Sequence, residues 1–188
     1  MIAATESIVA RAQGNYASID AIAKDVKAKL GGETIGVIFP ILSRNRFSIC
    51  LKGIAKGAKK VVLMLSYPSD EVGNELVSLD KLDDAGINPY SDVMDLEKYR
   101  ELFGENKHPF TGVDYVQYYS DLIKEAGAEV EVIFANQPQE ILKHAKNVLT
   151  CDIHTRGKDQ AHPGEEWRQG CSGTGQYPDL SGGRKRMQ

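Results

Sequence analysis

The four consecutive residues Ser43, Arg44, Asn45 and Arg46 are the strongest chemical candidates in the chain. They follow a β-rich run, Thr34 to Phe39, closed by Pro40, and Ser43 opens the helical segment SRNRFSICLKGIAKGA, with Gly57 as its stop. A helix start presents unpaired backbone N–H groups and the positive end of the helix dipole, and two guanidinium groups add forked hydrogen bonds to phosphate or carboxylate. The competing use is a Ser43 cap with solvated arginines, because no glycine-rich phosphate loop accompanies them. A second group, Asp70, Glu71 and Asn74, follows the apolar run Val61 to Ser66. Carboxylates and amides after a buried strand suit a hard cation such as magnesium, whereas a turn leading into a helix would use the same acids at its positive end.

A third group, Asp152, His154 and Arg156, alternates at the end of the run Val148 to Ile153, so a continuing strand puts all three on one face. The competing reading is a strand running out into solvent. Cys151 falls on the other face, towards the core. His108, in KHPFTG, serves either as a ligand-facing residue or as an ordinary loop histidine. Tyr115, Tyr118 and Tyr119 share one helical face and read as core packing, while His144, among lysines, reads as a surface residue. No spacing suggests Ser-His-Asp or Cys-His chemistry, so no catalytic residue is assigned.

The elements that must hold these residues alternate between apolar runs and segments of helical period. That order predicts an α/β fold: a mostly parallel sheet of about four to five strands with flanking helices, forming an incomplete domain. The strands are expected at Thr34 to Phe39, Val61 to Ser66, Val130 to Asn136 and Val148 to Ile153, with Ile2 to Ala4 as a truncated fifth. Helices are expected at Leu96 to Phe103, at Val113 to Ala126 with Asp114 as cap and Gly127 as stop, and from Pro138 to about Asn147. Residues 78 to 112 form an irregular excursion of the kind that carries a binding loop.

With 188 residues, a formal net charge of -3 and a pI near 5.8, one domain with a sizeable core is expected, without the basic excess that would steer it to nucleic acid or an anionic membrane. No membrane-length apolar run or signal peptide is present, which predicts a cytoplasmic protein with small-molecule partners; a homodimer is left open. Cys50, Cys151 and Cys171 are odd in number and widely spaced, so reduced thiols are expected.

The strings TESIVARAQGNY, FPILSRNRFSICLKGIAKGAKK, LSYPSDEVGNELV, NKHPFTGVDYVQYY, EVEVIFANQP and NVLTCDIHTR resemble, in order, a bacterial branch of the coenzyme F420-0:L-glutamate ligase (gamma-glutamyl ligase) family. The resemblance spans nearly all of residues 3 to 156. It implies a ligase that joins the amino group of L-glutamate to a carboxylate of a phosphate-bearing acceptor, coenzyme F420-0 or a related molecule. GTP would be a substrate and Mg2+ or Mn2+ the cation. In such a site Ser43, Arg44 and Arg46 suit the phosphate role, and Asp70, Glu71 and Asp152 the metal role. The alternative is a non-catalytic α/β module that binds a nucleotide or sugar phosphate through Arg44 and Arg46.

Residues 1–156 therefore read as a partial ligase-like domain and 157–188 as a disordered, frameshifted tail. After Ile153 the chain has no further Ile or Val and is rich in Gly, polar and charged residues, too little apolar area to offset ordering. Read one base forward with permissible synonymous codons, Gly157 to Asp179 becomes AKTKRILEKNGAKAVLALDNILT, a basic amphipathic helix, a Gly stop and an apolar strand. That repeats the pattern of LKGIAKGAKKVVLMLS earlier in the chain.

Overall fold

The computed structural model describes residues 6–39, 41–70, 73–108, 110–151 and 171–173, with the backbone alone for Glu6, Ser7, Arg46 and residues 171–173. Among the described residues six strands build one sheet: β1 (Thr34–Phe39), β2 (Lys60–Leu65), β3 (Met94–Asp95), β4 (Glu129–Phe134), β5 (Asn147–Thr150) and β6 (Cys171–Gly173), in the order β3-β4-β2-β1-β5-β6. All pairings are parallel except that of β3 with β4. The expected mostly parallel α/β sheet is thus present, its four long apolar runs forming the centre. Its edges add two strands of two and three residues, too short to leave an apolar pattern in the sequence. Of the tail, Cys171–Gly173 pair with β5 in register Val148 to Cys171. The rest of the tail and the expected strand at Ile2 to Ala4 lie outside the described residues.

Alternation along the strands separates two apolar layers. Ile35, Val37 and Phe39 of β1, Val61, Leu63 and Leu65 of β2, and Val132 and Phe134 of β4 join the larger core with the helices. These helices are α2 (Ile19–Leu30), α3 (Arg46–Lys56), α4 (Leu79–Asp84), α5 (Leu96–Phe103) and α6 (Tyr115–Glu125); α1 (Glu6–Ala12) precedes them. In α3 the buried residues Phe47, Leu51, Ile54 and Ala55 recur at helical spacing, which turns one stripe to the sheet. The opposite face carries Ile38, Val62, Met64, Ile133 and Val148, packed with Ile141 and Ala145. Ile141 belongs to a 3-10 helix, Pro138–Lys143, where the sequence reading expected an α-helix to about Asn147. Only six residues separate Gln137 from His144, and the chain must then enter β5, so there is no room for a longer helix.

Glycines set the two closest approaches. A Cβ on Gly36 would lie 2.8 Å from Ile141 Cδ1, so a bare backbone at that point of β1 admits the 3-10 helix. Gly53 on α3 and Gly57, its C-cap four residues later, face α2: their added Cβ atoms would lie 2.8 Å from Ile22 Cγ2 and 2.7 Å from the Ala23 carbonyl oxygen. Helix α2 itself runs between a Ser18 cap, which accepts from the Ala21 N–H, and Gly31 at φ 79°.

The chain runs outward from β1 to β2 to β4 and then crosses back to β5, on the far side of β1. Strand order therefore reverses beside β1. In open parallel sheets ligands bind outside the carboxyl ends of strands at such a reversal, which is where the loop after β1 lies.

Candidate functional site

The loop after β1 is built by hydrogen bonds to its own backbone. The buried Asp70 carboxylate, from the loop after β2, accepts the Leu42 N–H through Oδ2 at 2.8 Å. The next amide, Ser43 N–H, donates to the Tyr119 hydroxyl at 2.7 Å, and that hydroxyl donates back to the Ser43 carbonyl at 3.0 Å. The Arg44 carbonyl accepts from Ser48 Oγ and, at 3.5 Å, from the Tyr118 hydroxyl. Only then does α3 begin, at Arg46, with Asn45 as an N-cap that makes no side-chain capping bond and no acidic residue in the first turn. Ser43 therefore does not open the helix as expected. Its amide and carbonyl are both held by the Tyr119 hydroxyl, Arg44 and Asn45 form a turn, and the helix starts three residues after it. Arg44 and Asn45 are exposed on this fixed loop; the Arg46 side chain lies outside the described residues.

Tyr119 was read as core packing, and its ring is core. It is fully buried, edge-on to Phe47 at 5.4 Å and to Phe39 at 6.3 Å. Its hydroxyl carries the additional role, which helical spacing alone does not reveal. Burial pushes the phenol well above its ordinary pKa, the hydrogen bond with Ser43 opposing it, so it acts as a neutral donor and acceptor.

The loop after β2 closes on itself. Asp70 N–H donates to the Asn74 carbonyl at 3.0 Å, and Asp70 Oδ1 accepts the Asn74 N–H at 2.8 Å. The Asn74 side chain points its Nδ2 to Asp70 Oδ2 at 2.7 Å and its Oδ1 to His108 Nε2 at 3.4 Å. His108 Nδ1 accepts the N–H groups of Phe110 and Thr111, each at 3.3 Å. Since an ionised carboxylate only accepts, the amide must present its NH2 to Asp70 and its oxygen to His108, which fixes the histidine proton on Nε2. Both ring nitrogens of His108 are engaged in holding the turn. Its ring also meets Tyr115 edge-on at 5.7 Å.

A third clamp reaches in from the end of β4. Asn136 accepts the Tyr67 N–H at 3.2 Å and donates to the Tyr67 and Pro89 carbonyls, and Gln137 donates to the Tyr90 carbonyl. The Tyr67 hydroxyl reaches the Asp92 carbonyl, and burial, with the Asp92 charge, pushes its pKa up to about 12. Asn136 was missed in the sequence, where nothing marks it beyond its place as the last residue of the expected strand Val130 to Asn136. The excursion is anchored further by Arg100, which bonds both oxygens of Asp114 at 2.6 and 3.2 Å while Asp114 caps α6 at Gln117.

The loops carrying Ser43, Asp70, Asn74 and His108 therefore meet at one end of the sheet. Glu71, Asp152, His154 and Arg156 lie outside the described residues, although the Cys151 N–H bond to the Ile38 carbonyl brings β5 out beside the end of β1. Among the described residues no group of three or more His, Cys, Asp and Glu is placed to hold a metal ion. The Asp70 carboxylate accepts from two backbone amides and one side-chain amide, a set suited to fixing loops rather than to a cation. The described residues thus do not by themselves fit a metal centre. His144, expected at the surface, is exposed at the other end of the sheet, where its Nδ1 and Lys60 both bond Glu131. Cys50 is a free thiol. No helix among the described residues is long and apolar enough to cross a membrane.

Comparison with known proteins gives one family: the model described as F420-0:Gamma-glutamyl ligase matches residues 1–154. No curated protein matches the chain. Among solved structures it is similar to a chain in the crystal structure of the tetrameric eIF2B-beta2-delta2 complex from C. thermophilum, at 14% identity and a TM-score of 0.36, over 77% of this chain and 34% of that chain. This chain spans about a third of that one, and the likeness is too loose to bear on function.

Proposed function

Since the chain belongs to the F420-0:gamma-glutamyl ligase family, we propose that it takes part in GTP-dependent amide formation, joining the amino group of L-glutamate to a carboxylate of coenzyme F420-0 or a related phosphate-bearing acceptor. The family match over residues 1–154 carries this reading. A carboxylate is a poor electrophile. Transfer of the GTP γ-phosphoryl group to it makes an acyl phosphate, and attack by the glutamate amine then expels phosphate and forms the amide. The protein's part in such a step is positioning and electrostatic stabilisation.

The loop after β1 suits the phosphate role for two reasons. It precedes the N-terminus of α3, whose first turn has no acid and no side-chain cap, and it exposes Arg44. Its backbone is held by Asp70 and Tyr119 before any ligand arrives, so little ordering entropy remains to be lost on binding. Within this assignment Ser43 is a held residue, and the phosphate role falls to Arg44, Asn45 and Arg46. The metal role falls to Glu71 and Asp152 rather than to Asp70.

The test is phosphate release from GTP. A ligase releases phosphate only when coenzyme F420-0 and L-glutamate are both present, with an amide product in equal amount. Release that ignores both co-substrates, or saturable GTP binding without any turnover in the complete mixture, points instead to a binding module.

A further inference from the structure

The hydrogen bonds from His108 to Asp70 run in a single direction, and the Leu42 bond meets them at the carboxylate. Phe110 and Thr111 N–H donate to His108 Nδ1, His108 Nε2–H donates to Asn74 Oδ1, and Asn74 Nδ2–H donates to Asp70 Oδ2, which also accepts the Leu42 N–H. Each member fixes the orientation of the next, and the carboxylate at the end sets the sense of the whole chain. His108 and Asn74 each accept at one end and donate at the other, Asp70 only accepts, and Asn74 is the member that joins the histidine turn to the carboxylate. A second arm parallels the first through rings: His108 on Tyr115, Tyr115 on Tyr119 at 5.7 Å, and the Tyr119 hydroxyl on Ser43. The two arms end on adjacent residues, Leu42 and Ser43.

We propose that Asn74 is a positioning residue, coupling the turn that carries His108 to the loop after β1, so that the two are ordered as one unit around the bound phosphate. The phosphate part rests on the function proposed above; the coupling does not. The long 3.4 Å contact between His108 and Asn74 is the weakest bond of the chain and the point at which the turn would part from the site. The charged and titratable groups around the amide are Asp70 and His108, with the phenols of Tyr115 and Tyr119 behind them.

The experiment measures amide hydrogen exchange in the full chain, as wild type, Asn74→Leu and Asn74→Asp. Leucine removes both ends of the coupler. It should speed exchange at Leu42, Phe110 and Thr111 together by about tenfold or more, with Leu51 and Ile54 in α3 unchanged. Aspartate keeps an oxygen for His108 and loses the donor to Asp70, so Leu42 alone should quicken. Mere bulk packing would not divide the two variants in this way. In the wild type, nitrogen chemical shifts should place the His108 proton on Nε2, a reading that stands even if the leucine variant does not fold. Unchanged Leu42 exchange in both variants, or a proton on Nδ1, overturns the proposal. GTP affinity should fall in Asn74→Asp. A wild type that does not bind GTP would refute the functional reading and leave the exchange data to judge the coupling.

Discussion

Replacing Tyr119 by phenylalanine isolates the bond that shapes the loop after β1. The ring stays, and with it the edge contacts to Phe47 at 5.4 Å and Phe39 at 6.3 Å, so the apolar burial is unchanged. What disappears is the acceptor of the Ser43 N–H and the donor to the Ser43 carbonyl. An N–H stripped of its partner away from bulk water costs about 1–3 kcal/mol, and Ser43 is half-buried, which favours the lower half of that range. For a chain of this size roughly 2–4 °C of melting temperature is lost per kcal/mol, so a drop of about 2–8 °C is expected. Tyr118→Phe is the internal control. Its hydroxyl lies 3.5 Å from the Arg44 carbonyl, at the limit of a hydrogen bond, and its loss should move stability by under about 0.5 kcal/mol. Thermal unfolding of both variants, with exchange of the Ser43 amide, reads the difference. If Tyr119→Phe melts with the wild type and the Ser43 amide stays as protected, the hydroxyl does not hold the loop.

Two further outcomes follow from the fold. Alanine at Gly57 should destabilise by about 1–3 kcal/mol, because its Cβ would meet the Ala23 carbonyl oxygen, a backbone atom that cannot swing away. Alanine at Gly53, inside α3, should cost less, since roughly 1 kcal/mol of helix propensity is gained against a clash with the Ile22 side chain; denaturant unfolding orders the two, and equal or greater stability for Gly57→Ala would contradict the packing. Glu131 gives an acid-side dependence. Burial works to raise its pKa, but the hydrogen bonds from Lys60 and His144 outweigh it and hold the carboxyl below its ordinary value. A depressed folded pKa means stability that is present above the unfolded value and lost as pH falls through the folded one. Glu131→Gln should therefore flatten the stability profile below about pH 4.5, the ordinary carboxyl range, and an unchanged acid limb would refute the assignment.

Much of the scaffold is legible in the sequence because it rests on local signals. Continuous apolar runs mark β1, β2, β4 and β5, Leu96 to Phe103 is a helix with the expected bounds, and Asp114 and Gly127 bracket α6 as cap and stop. The departures arise where a distant partner decides. Tyr119, 76 residues away, holds the Ser43 amide and carbonyl in the loop ahead of α3, which begins at Arg46. Helix α2 was not singled out, and the two-residue β3 owes its existence to pairing with β4. At the site, Ser43, Asp70 and Asn74 follow β1 and β2, whose carboxyl ends share one edge, while His108 reaches them from the excursion through a contact that no local signal marks. Their division of labour was not legible. An aspartate that binds backbone amides and one that faces solvent are the same letter, and only the fold separates them.

The central claim, that the loop after β1 receives the phosphates of GTP, is tested most directly by calorimetric titration of GTP into the wild-type chain and into an Arg44→Ala, Arg46→Ala double variant. Hydrogen bonds to charged groups are each worth about 1.5–3 kcal/mol, so losing even one such contact should weaken binding by at least about tenfold. The variant should keep the wild-type melting temperature, because Arg44 is exposed and the loop is held by Asp70 and Tyr119 through backbone atoms. GTP binding of equal strength in a folded double variant would contradict the account and move the phosphate site elsewhere on the sheet.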